Sequence, residues 1–282
     1  MNTPESMPFI KMQGVGNDFV LIDNRAGVER DWPCLAVKMC DRRFGVGADG
    51  LLLVYASDKA DAGMRMFNPD GSEDFCGNGL RCVSRFVAAE KPRSLNIETL
   101  AGVRKATVRY VDSGECSVTV DMGVPSFRPS DVPILSDNNE AIDYQLVVDG
   151  ESWITTSVST GSTHTIIFVD ALPEDEIFFR ISPRIETHPL FPERTSIMWT
   201  KVESPNRLSI RIWERGAGET WGCGSGATAA AVAAIRKGLV QSPVTVASRG
   251  GSLVIEWQES ERIKMTGPAE YVFRGVFTLD RS

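Results

Sequence analysis

Histidine is scarce in this sequence, with His164 and His188 the only two, and the six cysteines (Cys34, Cys40, Cys76, Cys82, Cys116 and Cys223) include no Cys-x-x-Cys pair. Too few ligands are clustered for a structural zinc site, so no metal is expected. The cysteines also lack the close spacing of a disulfide scaffold, and the N-terminal residues have neither the basic nor the apolar region of a signal peptide. A cytoplasmic location is therefore expected. No apolar run is long enough to span a bilayer. Net charge is −7 without any basic or basic-aromatic run, which makes nucleic acid and anionic membranes poor partners.

What is present is 282 residues, 42% hydrophobic and 24% charged, enough for a full core in one large domain or two ordinary ones. Two short stretches echo each other: Cys76-Gly77-Asn78-Gly79 and Cys223-Gly224-Ser225-Gly226. Each follows a polar turn and runs into a segment patterned as a helix. The first turn of a helix has N–H groups without intrahelical partners at the positive end of the macrodipole, so an anion there is stabilised. By the same reasoning a cysteine at that place is expected to favour its thiolate. The glycines are expected to let a ligand approach the N–H groups closely.

Two such helix starts suit one chemical task, removing the α-proton of an amino acid from one face and returning a proton to the other. The substrate carboxylate would rest on the N–H groups of Gly77, Asn78, Gly224 and Ser225, which would also stabilise the charge developing when the proton leaves. One cysteine would act as thiolate base and the other as thiol acid. Taken singly, a cysteine before a helix reads as a small buried hydrophobe. The repetition with glycines in matching places favours the functional reading.

Alternation and turn residues predict strands at 9–12, 19–23, 51–55, 62–67, 95–100, 104–110 and 117–122, and helices at 31–41 and 77–90. The Pro-, Ser- and Asp-rich stretch 123–139 reads as a linker. Beyond it strands are predicted at 144–148, 153–158, 165–169, 196–202, 208–213, 244–247, 252–257, 262–265 and 271–278. A helix at 173–186 is expected to break at Pro183. The helix 224–237, almost wholly small residues, belongs in an interior surrounded by sheet. Gly45-Val46-Gly47-Ala48-Asp49-Gly50 matches the dinucleotide fingerprint formally, but a helix precedes it and a strand follows, the reverse of what that site needs. The order strands, helix, strands occurs twice and predicts an α+β protein of two pseudo-symmetric domains, each a curved, mostly antiparallel sheet around a central helix.

Beyond the two cysteine motifs, Lys11-Met12-Gln13-Gly14-Val15-Gly16-Asn17-Asp18-Phe19, the stretch from Asp41 to Gly50, Phe67-Asn68-Pro69-Asp70-Gly71-Ser72-Glu73, Phe191-Pro192-Glu193-Arg194-Thr195 and the stretch from Trp213 to Thr220 resemble diaminopimelate epimerase. The resemblance spans nearly the whole chain. It implies an isomerase with no cofactor, neither pyridoxal phosphate nor metal, acting on a small-molecule amino acid through Cys76 and Cys223. It implies domains of residues 1–122 plus about 267–282 and of 123–266, with the active site in the cleft between them. Asn17, Asn68, Glu214 and Arg215 would line the substrate pocket, with His164 and Glu214 near the reacting amine. A second copy of the chain, as a homodimer, is left open as a partner.

The chain departs from the family pattern at Gly161-Ser162-Thr163-His164, where Gly-Asn-Pro-His is usual, and at Arg194-Thr195-Ser196, where Arg-Thr-Asn is usual. In the family both asparagines recognise the distal aminocarboxylate, and serine reaches less far with a single donor. One reading is diaminopimelate epimerase with Ser162 and Ser196 in the asparagines' place. The alternative is a racemase of a different amino acid on the same frame. A non-catalytic thiol protein, redox or metal-binding, would leave Glu214, Arg215, Asn17 and Asn68 without a purpose.

Overall fold

The computed structural model describes residues 5–110 and 115–279. The chain divides into two compact units, Met1–Val120 with Gly267–Ser282, and Asp121–Thr266. In the first unit the elements are β1 (Glu5–Gly14), β2 (Asn17–Asp23), α1 (Trp32–Cys40), β3 (Gly50–Tyr55), β4 (Ala62–Phe67), α2 (Gly77–Ala88), β5 (Arg93–Thr99), β6 (Gly102–Tyr110) and β7 (Cys116–Gly123). The second holds β8 (Tyr144–Val148), β9 (Glu151–Ser159), β10 (Thr163–Phe168), α3 (Asp175–Glu186), β11 (Ser196–Ser204), β12 (Arg207–Glu214), β13 (Gly218–Thr220), α4 (Gly224–Arg236), β14 (Val244–Ser248), β15 (Gly251–Glu256) and β16 (Ile263–Pro268). The chain then returns to the first unit as β17 (Glu270–Leu279), antiparallel to β1.

In the first unit β1–β2, β3–β4, β5–β6 and β6–β7 pair antiparallel, and β2–β3 and β4–β5 parallel. This sheet wraps α2, which packs against each strand from β1 to β6. Because strand side chains alternate, Val20, Ile22, Leu51 and Leu53 turn the other way and form a second core with Trp32, Leu35, Ala36 and Met39 of α1. The second unit repeats the plan. Its strands pack around α4, while α3 lies on the outer face with Phe178, Ile181 and Ile185 against Leu146, Ile167, Ile197 and Trp199. In each unit largely antiparallel strands curl on a helix, which makes the fold α+β. Among the described residues no helix is long and apolar enough to cross a membrane.

Two local expectations need correction. The stretch 123–139 is not a loose linker: Ser126 pairs with Ser159 through two backbone hydrogen bonds, and Phe127, Val132 and Ile134 are buried. Its few apolar residues, spaced among prolines and serines, supply the anchoring. Pro183 does not break α3, which continues to Glu186. The N–H that proline lacks would have met the carbonyl of Phe179, an exposed residue where solvent can serve, and Ile181 and Ile185 hold the helix on its sheet. The polar turn before the second cysteine is part of a hairpin, since β13 folds back on β12 and pairs Ile212 with Thr220 and Glu214 with Gly218.

Candidate active site

In the first unit the site begins at the start of α2. Cys76 is the N-cap, with extended backbone (φ −133°, ψ 113°), and its sulfur accepts the Gly79 N–H at 3.3 Å. The thiol does here what Ser or Asn does at most helix starts. Gly79 is required by the sheet as well: a Cβ would lie 2.7 Å from Leu52 Cδ2. This is a reason for glycine other than the expected ligand approach.

Asn17, the first residue of β2, meets this helix start. Its Oδ1 accepts Asn78 Nδ2 at 3.1 Å and the Cys76 thiol at 3.9 Å, while its Nδ2 donates to Asp49 Oδ2 at 2.8 Å. Behind it stands an ionic network in which Arg42 reaches both Asp18 and Asp49 at 2.7 Å, and Lys11 pairs with Asp18. Burial raises the Asp49 carboxyl above the ordinary value. At Asp18 burial pushes the same way, but Arg42 and Lys11 together hold that carboxyl low. Asn68 follows β4 in a tight turn, where its side chain donates to Ser72 Oγ at 3.0 Å and its N–H to the Ser72 carbonyl at 2.8 Å. Of the residues expected in this half, Asn17, Cys76 and Asn78 are thus joined directly.

The second unit repeats the arrangement at α4. Cys223 is an extended N-cap (φ −122°, ψ 111°) whose sulfur accepts the Gly226 N–H at 3.3 Å. A Cβ on Gly226 would lie 2.4 Å from Met198 Cε. Ser225 Oγ is 3.5 Å from the sulfur, and its carbonyl accepts Thr160 Oγ1 at 3.2 Å. Of the thiolate and the thiol expected at the two helix starts, this sulfur's surroundings favour the thiol. Burial pushes the Cys223 thiol well above its ordinary value and the Glu214 carboxylate adds to it, outweighing the Ser225 and Gly226 donors.

His164 and Ser196 sit side by side, paired across the parallel strands β10 and β11. His164 Nδ1 donates to the Ser162 carbonyl at 2.9 Å, which places the proton on Nδ1 and leaves Nε2 an acceptor. Burial, joined by the Arg215 charge, lowers this imidazole to about 4, so it is neutral near pH 7. Ser196 Oγ accepts the Arg215 N–H at 3.1 Å, and Arg215 Nη1 donates to the Glu193 carbonyl at 3.0 Å. Thr220 Oγ1 donates to Glu214 Oε1.

One organising residue escaped sequence reasoning. Glu186, the last residue of α3, is buried and receives Trp213 Nε1 at 2.7 Å, the Gly216 N–H at 2.9 Å and the Arg194 guanidinium. It ties the Glu214-Arg215-Gly216 turn to the segment leading into Ser196. Its signal in the sequence was a carboxylate four residues beyond Ser182, on the buried face of an amphipathic helix.

A sequence model described as Diaminopimelate epimerase matches residues 9–128 and 156–272. The diaminopimelate epimerase of Desulfitobacterium hafniense is 46% identical over 281 residues, covering 97% of this chain and 99% of that protein. That of Carboxydothermus hydrogenoformans is 44% identical over 280 residues, covering 97% and 100%. This chain belongs to the diaminopimelate epimerase family. The family's fold extends further among solved structures. A hydroxyproline epimerase from Agrobacterium vitis, with bound trans-4-hydroxy-L-proline, superposes with a TM-score of 0.72 at 17% identity, covering 100% of this chain and 95% of that one. A probable proline racemase from Agrobacterium radiobacter K84 gives 0.73 at 15% identity, covering 97% and 93%. At such identities the likeness is one of fold. For this family member the helix-start cysteines, and not the histidines, are the titratable groups that occur in matched surroundings.

Proposed function

We propose that the protein is a diaminopimelate epimerase, an isomerase interconverting LL- and meso-diaminopimelate, with Cys76 and Cys223 serving one α-carbon from opposite faces. The observation that carries the two-base reading is the matched pair of helix starts, each with a cysteine N-cap bonded to the third N–H of its helix. Family membership over nearly the full chain carries the substrate class.

The chemistry follows from the surroundings of each sulfur. Cys223, held as a thiol, starts as the proton donor, and Cys76 as the thiolate base. The C–H electron pair moves into the carboxylate as Cys76 takes the proton, and the Cys223 proton then closes on the opposite face. The result is inversion with the two sulfurs' roles exchanged, and the reverse reaction starts from there. The Gly77, Asn78, Gly224 and Ser225 N–H groups, in the first turns of α2 and α4, stabilise the enediolate-like charge. Neutral His164 and the Glu214 carboxylate accept from the substrate ammonium, His164 through Nε2. Arg215 receives the distal carboxylate, aided by Asn68, Ser162 and Ser196. The Ser196 hydroxyl accepts the Arg215 N–H and still has its own proton to donate, so serine can serve where an amide is usual.

The test is epimerisation of LL-diaminopimelate in deuterium oxide, followed by chiral chromatography and mass spectrometry, in the wild type and in Cys76→Ala and Cys223→Ala. Each substitution is expected to lower turnover by about 10²–10⁴-fold or more, as loss of a general acid or base does. Full turnover in either variant would refute the two-base assignment. Faster exchange on another amino acid would refute the substrate and favour the racemase alternative.

A further inference from the structure

We propose that Asp49 is a positioning residue for Cys76: its carboxylate fixes which way the Asn17 amide faces, so that the carbonyl oxygen and not the NH2 group is turned to the sulfur. The inference rests on Cys76 being the base in the proposed function. An ionised carboxylate only accepts hydrogen bonds, so the Asn17 atom 2.8 Å from Asp49 Oδ2 must be nitrogen. The other end of the same planar amide is then oxygen, and it accepts from Asn78 Nδ2 at 3.1 Å and from the Cys76 thiol at 3.9 Å. Asp49 is itself held, by Arg42 at its other oxygen and by the Asp18 N–H at 3.0 Å. The order Arg42, Asp49, Asn17, Cys76 leaves one orientation that satisfies every group.

The consequence is chemical. A carbonyl oxygen beside the sulfur stabilises S–H and disfavours S⁻, whereas an NH2 group there would do the opposite. The proton on the α-carbon of an amino acid is weakly acidic, so a thiolate made more basic removes it with a better driving force. The product of that transfer is the Cys76 thiol, which Asn17 Oδ1 is placed to accept from. Titratable groups that interact with this sulfur include Arg81 and Cys82 of α2, and neither contacts Asp49 in the network above.

The test reads the sulfur directly, through the pH dependence of Cys76 alkylation by iodoacetamide, followed by mass spectrometry of its peptide. In Asp49→Asn the new amide can donate to Asn17, which then turns its NH2 toward the sulfur. The alkylation midpoint is expected to fall by about one pH unit, an effect the size of one hydrogen bond. In an Asn17→Ala background the same Asp49→Asn change is expected to leave the midpoint unmoved, since the intermediary is gone. Asp49→Ser supplies the same comparison should the asparagine variant not fold. An unmoved midpoint in Asp49→Asn with Asn17 intact overturns the proposal. So does an equal shift in both backgrounds, which would mean that Asp49 acts on the sulfur as a bare charge. The titration needs no turnover, so it is decided independently of whether Cys76→Ala stays active.

Discussion

Glu186 offers the sharpest test of how the second half-site is held together. Truncation to alanine removes the acceptor for Trp213 Nε1, for the Gly216 N–H and for the Arg194 guanidinium. Arg194 is half exposed and finds water, so its loss costs little. Gly216 is exposed and its N–H also finds water, whereas Trp213 is half-buried and an unsatisfied buried donor costs about 1–3 kcal/mol. The second unit should therefore lose roughly 1–3 kcal/mol, with each kcal/mol lowering its melting midpoint by about 2–4 °C. Function should suffer separately, because Arg215 lies between Trp213 and Gly216 and takes its place from both. A misplacement on the order of 1 Å can cost 10²-fold, so kcat/KM for LL-diaminopimelate should fall by about tenfold to a hundredfold.

Glu186→Gln separates the two effects. The glutamine carbonyl can still take the Gly216 N–H, but its NH2 then faces Trp213 Nε1–H, donor against donor. The expected outcome is an intermediate loss of stability with most of the activity kept. The assays are thermal unfolding by circular dichroism and steady-state epimerisation. If Glu186→Ala melts earlier yet keeps full kcat/KM, the carboxylate stabilises the unit without positioning Arg215, and the reasoning fails.

Cys223 alkylation by iodoacetamide should stay slow until well above pH 9 and should speed up at a given pH in Glu214→Gln, which removes a charge that disfavours the thiolate. A Cys223 midpoint near neutral pH would contradict the buried-thiol assignment. The His164 imidazole, lowered to about 4, binds its proton more weakly in the folded state than in the unfolded chain, where its pKa is near 6.5. Its contribution to stability is complete above 6.5 and is lost as pH falls toward 4, with a slope of up to about 1.4 kcal/mol per pH unit. Urea unfolding between pH 7 and 4 should show that slope in the wild type and not in His164→Gln; equal slopes would refute it. Gly226→Ala places a methyl against Met198 and Gly79→Ala one against Leu52. Each should destabilise by about 1–3 kcal/mol in chemical denaturation, and unchanged midpoints would show that the helix starts are not closely packed on the sheets.

Much of this fold was legible in the sequence because its signals are local. Period-two runs such as Ala62–Phe67 form the expected strand, and Asp31 before Trp32-Pro33 starts a helix, its side chain accepting the Cys34 N–H. The small residues of α4 imply the buried helix that the sheet surrounds. What was not legible depends on partners distant in sequence. Val132 and Ile134 are anchored by strands that come later in the chain, and Pro183 is tolerated because its helix already has a buried face. Glu186 carries the same lesson into the site, since a lone carboxylate on an apolar helix face acquires meaning only when Arg194, Trp213 and Gly216 converge on it.

The two cysteines show where a motif stops being informative. Position at a helix start is a local fact, and the favourable N–H contact that it implies is present at both sulfurs, 3.3 Å from Gly79 and 3.3 Å from Gly226. Protonation is not local. At Cys223 the two donors that should stabilise a thiolate are outweighed by burial and by Glu214, a residue nine positions earlier brought in by the β12–β13 hairpin. Helix-start geometry therefore does not by itself set the protonation of a thiol. At Cys76 the neighbour is the Asn17 carbonyl oxygen, which likewise favours S–H over S⁻. A two-base reaction needs one proton shared between two sulfurs, and because their roles exchange at each inversion neither sulfur's surroundings can fix it permanently as donor or base.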